Sequence, residues 1–253
     1  MPASRDEILN ALKTLLRPEQ FRDYCPNGLQ VEGREQITRL VTGVTACQAL
    51  IDGAIAADAD MLLVHHGYFW RGEDETVTGI KKKRVEALLA NELNLVAYHL
   101  PLDVHAELGN NAQLGKLLGF TVTGDMGKQN NNPIGLTGEL ETPLSGAALA
   151  ALIGERLGRT PLHVPGAAQT IRTVAWCTGA AQNYIELAWK AGVDAYITGE
   201  VSEQTVHFAR ETGMHFFSAG HHATERYGVQ AVAAQLVAQF DLEHQFIDID
   251  NPV

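Results

Sequence analysis

The residues best suited to chemistry in this sequence are its histidines and the acids close to them. Ten histidines are present, unevenly spread. Two adjacent pairs stand out: His65-His66 in LLVHHGYFW, and His221-His222 in SAGHHATER with Glu225 just behind. A third group, His99, Asp103 and His105, lies in AYHLPLDVH. Neutral imidazole with carboxylate suits zinc, iron, nickel or manganese, whereas magnesium and calcium prefer shells of oxygen. Adjacent side chains on a strand point to opposite faces, but just past a strand end that rule lapses, and Gly67 gives the backbone freedom to turn. His65 and His66 can then splay around two ions instead of chelating one. His221 and Glu225 are four apart at an expected helix start, which stacks them one turn apart on one face. A carboxylate there could reach both ions, and Asp103, two residues past Pro101, could supply another oxygen. His99, His222 and Glu200 are expected outside the ligands, orienting carboxylates or backbone, with His99 and Glu200 as proton-transfer groups.

The other reactive types read more plainly. His163, His207, His215 and His244, with His105, read as hydrogen-bonded structural residues, because a lone loop histidine is more often that than a ligand. Cys25, Cys47 and Cys177 form no CxxC pair and read as reduced thiols packed as small hydrophobes. Cys177 ends a strand, but nothing beside it in sequence would activate a nucleophile. Lys81-Lys82-Lys83-Arg84, the one basic run, reads as a solvated helix face, the alternative being attraction of a phosphate near a site mouth. Tyr68, Phe69 and Trp70 read as loop core or subunit contacts, with a stacking platform for a base as the minority reading. No Walker loop, GxGxxG, GxSxG elbow or HExxH occurs.

What must position these residues is an alternation of strands and helices. Strands are expected at Ile37–Thr42, Met61–Val64, Leu93–Tyr98, Thr173–Cys177, Ala195–Thr198, His215–Ser218 and Gln245–Ile249. Helices are expected at Cys47–Ala57, Val77–Asn91, Asn110–Leu118, Gln182–Ala191, Gln204–Glu211 and Ala223–Phe240. That rhythm means βαβ units in an α/β fold with largely parallel or mixed sheets. Open α/β sheets place ligands outside the carboxyl ends of their strands, which is where all three histidine groups fall. The polar, Gly- and Asn-rich stretch Gly124–Pro133 is the expected boundary between lobes 1–128, carrying His65, His66 and Asp103, and 129–253, carrying His221 and Glu225. The lobes read as related. A shift of 134 positions lays Ala46, Gln48, Ile51, Ala54, Ala57 and Asp60 on Ala180, Gln182, Ile185, Ala188, Ala191 and Asp194, and sets His65-His66 against Gly199-Glu200. The metal site is expected between the lobes.

Composition bounds the partners. The 253 residues carry 30 acidic and 19 basic side chains, a net charge of −11 with histidines neutral. That opposes nonspecific binding to nucleic acid or anionic membranes, both of which call for a basic face. No run approaches the roughly 18 apolar residues of a membrane span. Ser4-Arg5-Asp6-Glu7 reads as a capping box opening an amphipathic helix, unlike a signal peptide, so a cytoplasmic location is expected.

Seven segments make the sequence resemble a known family. They are PNGLQVEG (Pro26–Gly33), VTGVTA (Val41–Ala46), VHHGYFW (Val64–Trp70), HLPLD (His99–Asp103), LGNNAQL (Leu108–Leu114), TGEVSEQT (Thr198–Thr205) and GHHATER (Gly220–Arg226). In this order they resemble the Nif-three-like family, in its compact bacterial YbgI type, which carries a GTP cyclohydrolase 1 type 2 homolog label. The resemblance implies a dinuclear site of two divalent metal ions on His65, His66, Asp103, His221 and Glu225, with Glu225 as the bridge. It also implies a three-layer α/β/α two-lobed subunit assembled as a hexameric ring of dimers.

Two classes of function follow. The first is a metal-dependent hydrolase acting on a nucleotide or another phosphorylated or cyclic-amide metabolite, GTP ring opening being the named reaction. The second is a non-catalytic metal-binding scaffold, chaperone or regulatory ring protein. Glu200, His99 and the Lys81–Arg84 run lean toward the enzyme.

Overall fold

A computed structural model describes residues 2–129 and 132–253. In chain order the elements up to residue 102 are β1 (Ala3–Ser4), α1 (Arg5–Leu16), β2 (Gly28–Val31), β3 (Gln36–Ile37), β4 (Arg39–Thr45), α2 (Gln48–Ala56), β5 (Met61–His66), α3 (Gly79–Ala90) and β6 (Asn94–Ala97). Next come α4 (Leu100–Val104), α5 (Asn110–Leu118), β7 (Phe120–Gln129), β8 (Asn132–Leu144), α6 (Gly146–Leu157), β9 (Leu162–Val164) and β10 (Ile171–Cys177). A short 3-10 turn at Gln182–Tyr184 leads into α7 (Ile185–Lys190), β11 (Ala195–Thr198), α8 (Glu203–Thr212), β12 (His215–Ser218) and α9 (His221–Thr224). The chain closes with α10 (Arg226–Phe240) and β13 (Glu243–Phe246).

These elements form two compact units, residues 1–102 with Gly228–Ile249, and residues 103–227 with Asp250–Val253. The division differs from the expected 1–128 and 129–253. Most of Gly124–Pro133 lies in the β7–β8 hairpin, with Asn130 and Asn131 outside the described residues, and β8 pairs antiparallel with β10. That stretch is therefore an edge of the second sheet and not a linker. Asp103 accordingly belongs to the second unit. In turn β13 pairs in parallel with β4, which returns the end of the chain to the first unit.

The first unit carries a five-stranded sheet in the order β13-β4-β5-β6-β2, parallel except for β2. β4, β5 and β6 are buried almost throughout, so they read as near-continuous apolar runs, the mark of strands covered on both faces. Alternate residues Leu62, Val64, Leu95 and Ala97 pack against Leu50, Ile51 and Ala54 of α2 and Leu88 of α3. The capping box of α1 is present, Ser4 and Glu7 reciprocally bonded, and Ile8, Leu12 and Leu16 are buried at helical spacing.

The second unit carries a six-stranded mixed sheet, β7-β8-β10-β11-β12-β9, whose middle three strands are parallel. One face, with Val174, Trp176, Ala195, Ile197 and Phe217, packs on Leu114, Leu118, Leu149, Ile153 and Leu157 of α5 and α6. The other, with Ala175, Cys177, Tyr196 and Phe216, packs on Ile185 and Ala188 of α7 and Ala209 of α8. This unit is thus an α/β/α sandwich of three layers.

The internal repeat is physical. Asp60 Oδ2 accepts from the backbone N–H groups of Thr38 and Arg39, and Asp194 Oδ2 accepts from those of Arg172 and Thr173, each pair displaced by the same 134 positions. Leu40 lies opposite Met61, and Val174 opposite Ala195, in the same register.

Candidate metal centre

In the first unit the candidate residues stand where β5 and β6 end. His65, the fifth residue of β5, is fully buried. Its Nδ1 lies 3.0 Å from the Tyr98 carbonyl oxygen, which can only accept, so Nδ1 carries a proton and donates. His66 Nδ1 is 3.0 Å from Thr45 Oγ1 at the end of the neighbouring β4. His99 Nδ1 is 2.7 Å from Asp23 Oδ1. The three rings gather with centroids 4.4 Å apart for His65–His66, 5.2 Å for His65–His99 and 5.8 Å for His66–His99. Each offers a ligand atom within 4.8 Å of the others, so this cluster could hold a metal ion. His99, expected to orient its neighbours, stands among the imidazoles. Asp23, in DYCPNG, carries no spacing signal toward His99, and only the fold brings them together. Burial would raise the Asp23 carboxyl, but the bonds from His99, Asn27 and the Tyr24 N–H hold it below the usual range. Burial, then Asp23, pushes the Cys25 thiol up to about 12, so no thiolate is on offer there.

In the second unit the loops after β10, β11 and β12 carry the polar groups. His221 Nδ1 is 2.7 Å from Glu200 Oε1, and His221 Nε2 is 3.1 Å from Glu225 Oε2. Burial pushes His221 down, but Glu225 and Glu200 outweigh it and raise the imidazole to about 9. Two carboxylates converging on one imidazole make a site whose electrostatics call for positive charge. The expected helix Ala223–Phe240 is broken: α9 ends at Thr224, α10 begins at Arg226, and Glu225 sits at the break with φ −110°. The break turns the Glu225 side chain inward, where it is 3% exposed. Gly179, with φ +71°, leaves room for it, since a Cβ there would overlap Glu225 Oε1. Asp103 Oδ1 accepts from Asn110 Nδ2 at 3.0 Å and Thr178 Oγ1 at 3.3 Å, and the Thr178 N–H is held by Asn111 Oδ1 at 2.9 Å. Thr45, Asn110 and Thr178 were not singled out in sequence. Thr45 could have been found, because it lies opposite His66 across the β4–β5 pair.

The plainer readings hold for several residues. His105 Nδ1 accepts from the N–H groups of Glu107 and Leu108. His163 and His215 bond each other at 3.0 Å, and His244 bonds Thr42 at 2.9 Å. Cys177 donates its thiol to the Ile134 carbonyl, and burial, with Asp103 and Glu225 next, pushes that thiol well up. Lys81 is tied to Glu73 at 2.7 Å, while Lys82 and Lys83 are exposed. Tyr68 is buried, and Trp70 sets its ring edge-on to His99, centroids 5.0 Å apart.

The donor set fits a divalent ion of the zinc, iron, nickel or manganese kind. At His65, His66 and His99 a protein group meets the ring at Nδ1, and His221 meets Glu200 at Nδ1 and Glu225 at Nε2, so imidazole and carboxylate donors stand together.

Comparison with known proteins places the chain. Residues 3–252 match the model of the Duf34/NIF3 (NGG1p interacting factor 3) family. A Pseudomonas aeruginosa protein named GTP cyclohydrolase 1 type 2 homolog is 58% identical over 233 residues, 92% of either chain. Its Escherichia coli K12 namesake is 51% identical over 247 residues, 97% of this chain and 98% of its own. A solved structure described as protein ybgI, of unknown function, superposes with a TM-score of 0.95 at 50% identity, covering 99% of this chain and all of its own. A Thermus thermophilus protein superposes at 0.87 with 33% identity, covering 99% of this chain and 100% of its own. Fold, length and sequence agree, and the chain belongs to the Duf34/NIF3 family.

Proposed function

We propose that this protein is a divalent-metal-dependent hydrolase with two metal ions per chain, held by His65, His66, Asp103, His221 and Glu225. The observation that carries this reading is the donor set at the strand ends. His65, His66 and His221 each have Nδ1 engaged by the protein, and Asp103 and the buried Glu225 bring carboxylate oxygen. When bound, a pair of such ions supplies hydroxide near neutral pH and Lewis-acid polarisation of substrate oxygen. The protein's own groups hold the rest of the reaction in place. Glu200 fixes the His221 ring, Asn110 and Thr178 fix Asp103, and Trp70 walls the ring of His99.

The substrate class is a nucleotide or a related cyclic or phosphorylated metabolite, taken from the GTP cyclohydrolase 1 type 2 homolog name of relatives. No helix among the described residues is long and apolar enough to cross a membrane. A cytoplasmic location is part of the proposal. A homohexameric ring built from dimers is part of the same proposal.

The test is GTP turnover by metal-reconstituted protein beside Asp103→Ala. Wild type should release a ring-opened or hydrolysed product, and the variant should lose at least ~100-fold in kcat, the scale of a lost acid–base or electrostatic group. Turnover by Asp103→Ala equal to wild type, or turnover by metal-stripped wild type, would overturn the proposal.

A further inference from the structure

Two aromatic side chains beside the imidazole cluster stand outside the apolar core. Tyr24 is 47% exposed, and Trp70 is partly buried. The Trp70 ring meets that of His99 at 83°, centroids 5.0 Å apart, and that of His66 at 52° and 6.0 Å. The Tyr24 ring meets that of His99 at 63° and 6.3 Å. All these contacts are edge-on or tilted, and among the described residues no ring lies flat on Trp70 or Tyr24. Both therefore keep aromatic faces for an offset-stacked partner, an arrangement that aromatic pairs favour. The two are also held still. Trp70 Nε1 donates to the Gly67 carbonyl at 3.1 Å, which fixes the indole. The Arg71 N–H donates to the Tyr24 carbonyl at 2.7 Å and Arg71 Nη2 to the Asp23 carbonyl at 2.9 Å, tying the two segments together. Phe69, just before Trp70, takes φ +64°, a conformation that costs a bulky residue energy. Glu73 holds it there by accepting the Phe69 N–H at 3.1 Å and the Lys81 ammonium at 2.7 Å.

We propose that Tyr24 and Trp70 are the base-binding subsite of this site, stacking the planar nitrogen heterocycle of a nucleotide beside His99. The proposal deepens the hydrolase reading above and rests on it for the substrate class. Position is its first ground. His65, His66 and His99 offer ligand atoms within 4.8 Å of one another, and the two aromatic rings abut that cluster. A heterocycle seated on them lies next to the groups that would act on it. The second ground is what the neighbouring polar groups have left to give. Asp23 accepts the Tyr24 and Leu100 N–H groups, His99 Nδ1 and Asn27 Nδ2, and Asn27 Oδ1 accepts the His99 N–H. Both side chains are thus spent on protein partners, and what remains for a ligand is aromatic surface. Every nucleobase has a π-face to set against it. A fixed indole and a tied Tyr24 segment also lose little freedom on binding, which favours capture of a flat ring.

The test uses the full-length, zinc-loaded protein with two probes. Guanosine lacks the phosphates that metal ions could hold, and ribose 5-phosphate lacks the base. Of the three tryptophans, Trp176 is fully buried and Trp189 is 50% exposed, so a Trp189→Phe background leaves Trp70 as the accessible reporter. Guanosine should quench its fluorescence saturably, and ribose 5-phosphate should not. By equilibrium dialysis, Trp70→Ala and Tyr24→Ala should each bind guanosine about 5- to 100-fold more weakly, the span of a lost base–aromatic stack. Trp70→Phe, which keeps a ring, should stay within a few-fold of wild type, and zinc per chain should stay at the wild-type level throughout. Tyr24→Ala, at an exposed position, is the second variant should Trp70→Ala fail to fold. Unquenched fluorescence, an equal quench by ribose 5-phosphate, or variants that bind guanosine as tightly as wild type would overturn the proposal. So would a change of oligomeric mass in Tyr24→Ala, which would make the aromatics a subunit contact, or a loss of zinc, which would make them props for the histidines. Guanosine binding without GTP turnover would sink the hydrolase reading and leave the stacking subsite standing. Turnover without guanosine binding would do the reverse.

Discussion

At the scale of single residues, the site depends on small groups that leave room for large ones. Gly179 is the clearest case, since its φ of +71° and its closeness to Glu225 both exclude a side chain. Gly179→Ala should cost roughly 1–3 kcal/mol in strain and displacement, and zinc content should fall with it. Thermal unfolding and elemental analysis of one preparation check both. Glu200 makes a different prediction, because it touches His221 only at Nδ1. Glu200→Gln should weaken zinc about 10–100-fold, as losses of ligand-orienting carboxylates do, measured by competition with a chromogenic chelator. Unchanged affinity would mean that the 2.7 Å contact does not hold the ring. The histidine pairs were legible in sequence because an apolar strand running into polar residues marks a strand end. Asp23 was not, because its relation to His99 spans 76 positions and exists only after folding.

At the scale of elements, the two strand–helix–strand repeats are each pinned by an aspartate. Burial would raise the carboxyls of Asp60 and Asp194. The N–H groups of Thr38 and Arg39 in one case, and of Thr173 and Arg172 in the other, outweigh burial and hold them below the usual value of 3.8. A carboxyl depressed in the folded state adds stability that is complete above its unfolded pKa and disappears as pH falls through its folded one. Asp60→Asn and Asp194→Asn should therefore each cost roughly 1–3 kcal/mol at neutral pH. The deficit against wild type should shrink below about pH 4, the usual carboxylate range, as the native carboxyls protonate. Urea unfolding at pH 7 and pH 3 reads this directly, and an equal deficit at both would show that the charge is irrelevant. The repeat was visible in the six shared residues, including both aspartates. The β7–β8 hairpin was not, since its Gly- and Asn-rich sequence has the composition of a linker. Its register shifts at Val122/Gly124 and Asp125/Gly127 give no clean alternation to read. Helix α6 carries its own signals, with Ser145 capping it and Gly158 ending it in the left-handed conformation.

At the scale of the whole molecule, the chain is one family fold of two α/β units, and its net charge of −11 suits a protein that gathers cations. Metal that binds only the native state should stabilise it by mass action, about 2.7 kcal/mol at a free concentration 100 times Kd. For a chain of this size that is roughly 5–10 °C in melting temperature, to be lost on adding chelator and restored by zinc or manganese. The fold class was legible because strand-and-helix rhythm survives in a single sequence. The division into units was not, because β13 returns from the far end of the chain to pair with β4.

Elemental analysis decides whether the five residues hold two divalent ions. Protein purified without chelator, then reconstituted, is compared with His65→Ala and Glu225→Ala. About two ions per wild-type chain and a fall in both variants are expected, as a two-metal site requires. A wild-type chain that takes up no metal after exposure to zinc, iron, nickel and manganese would contradict it.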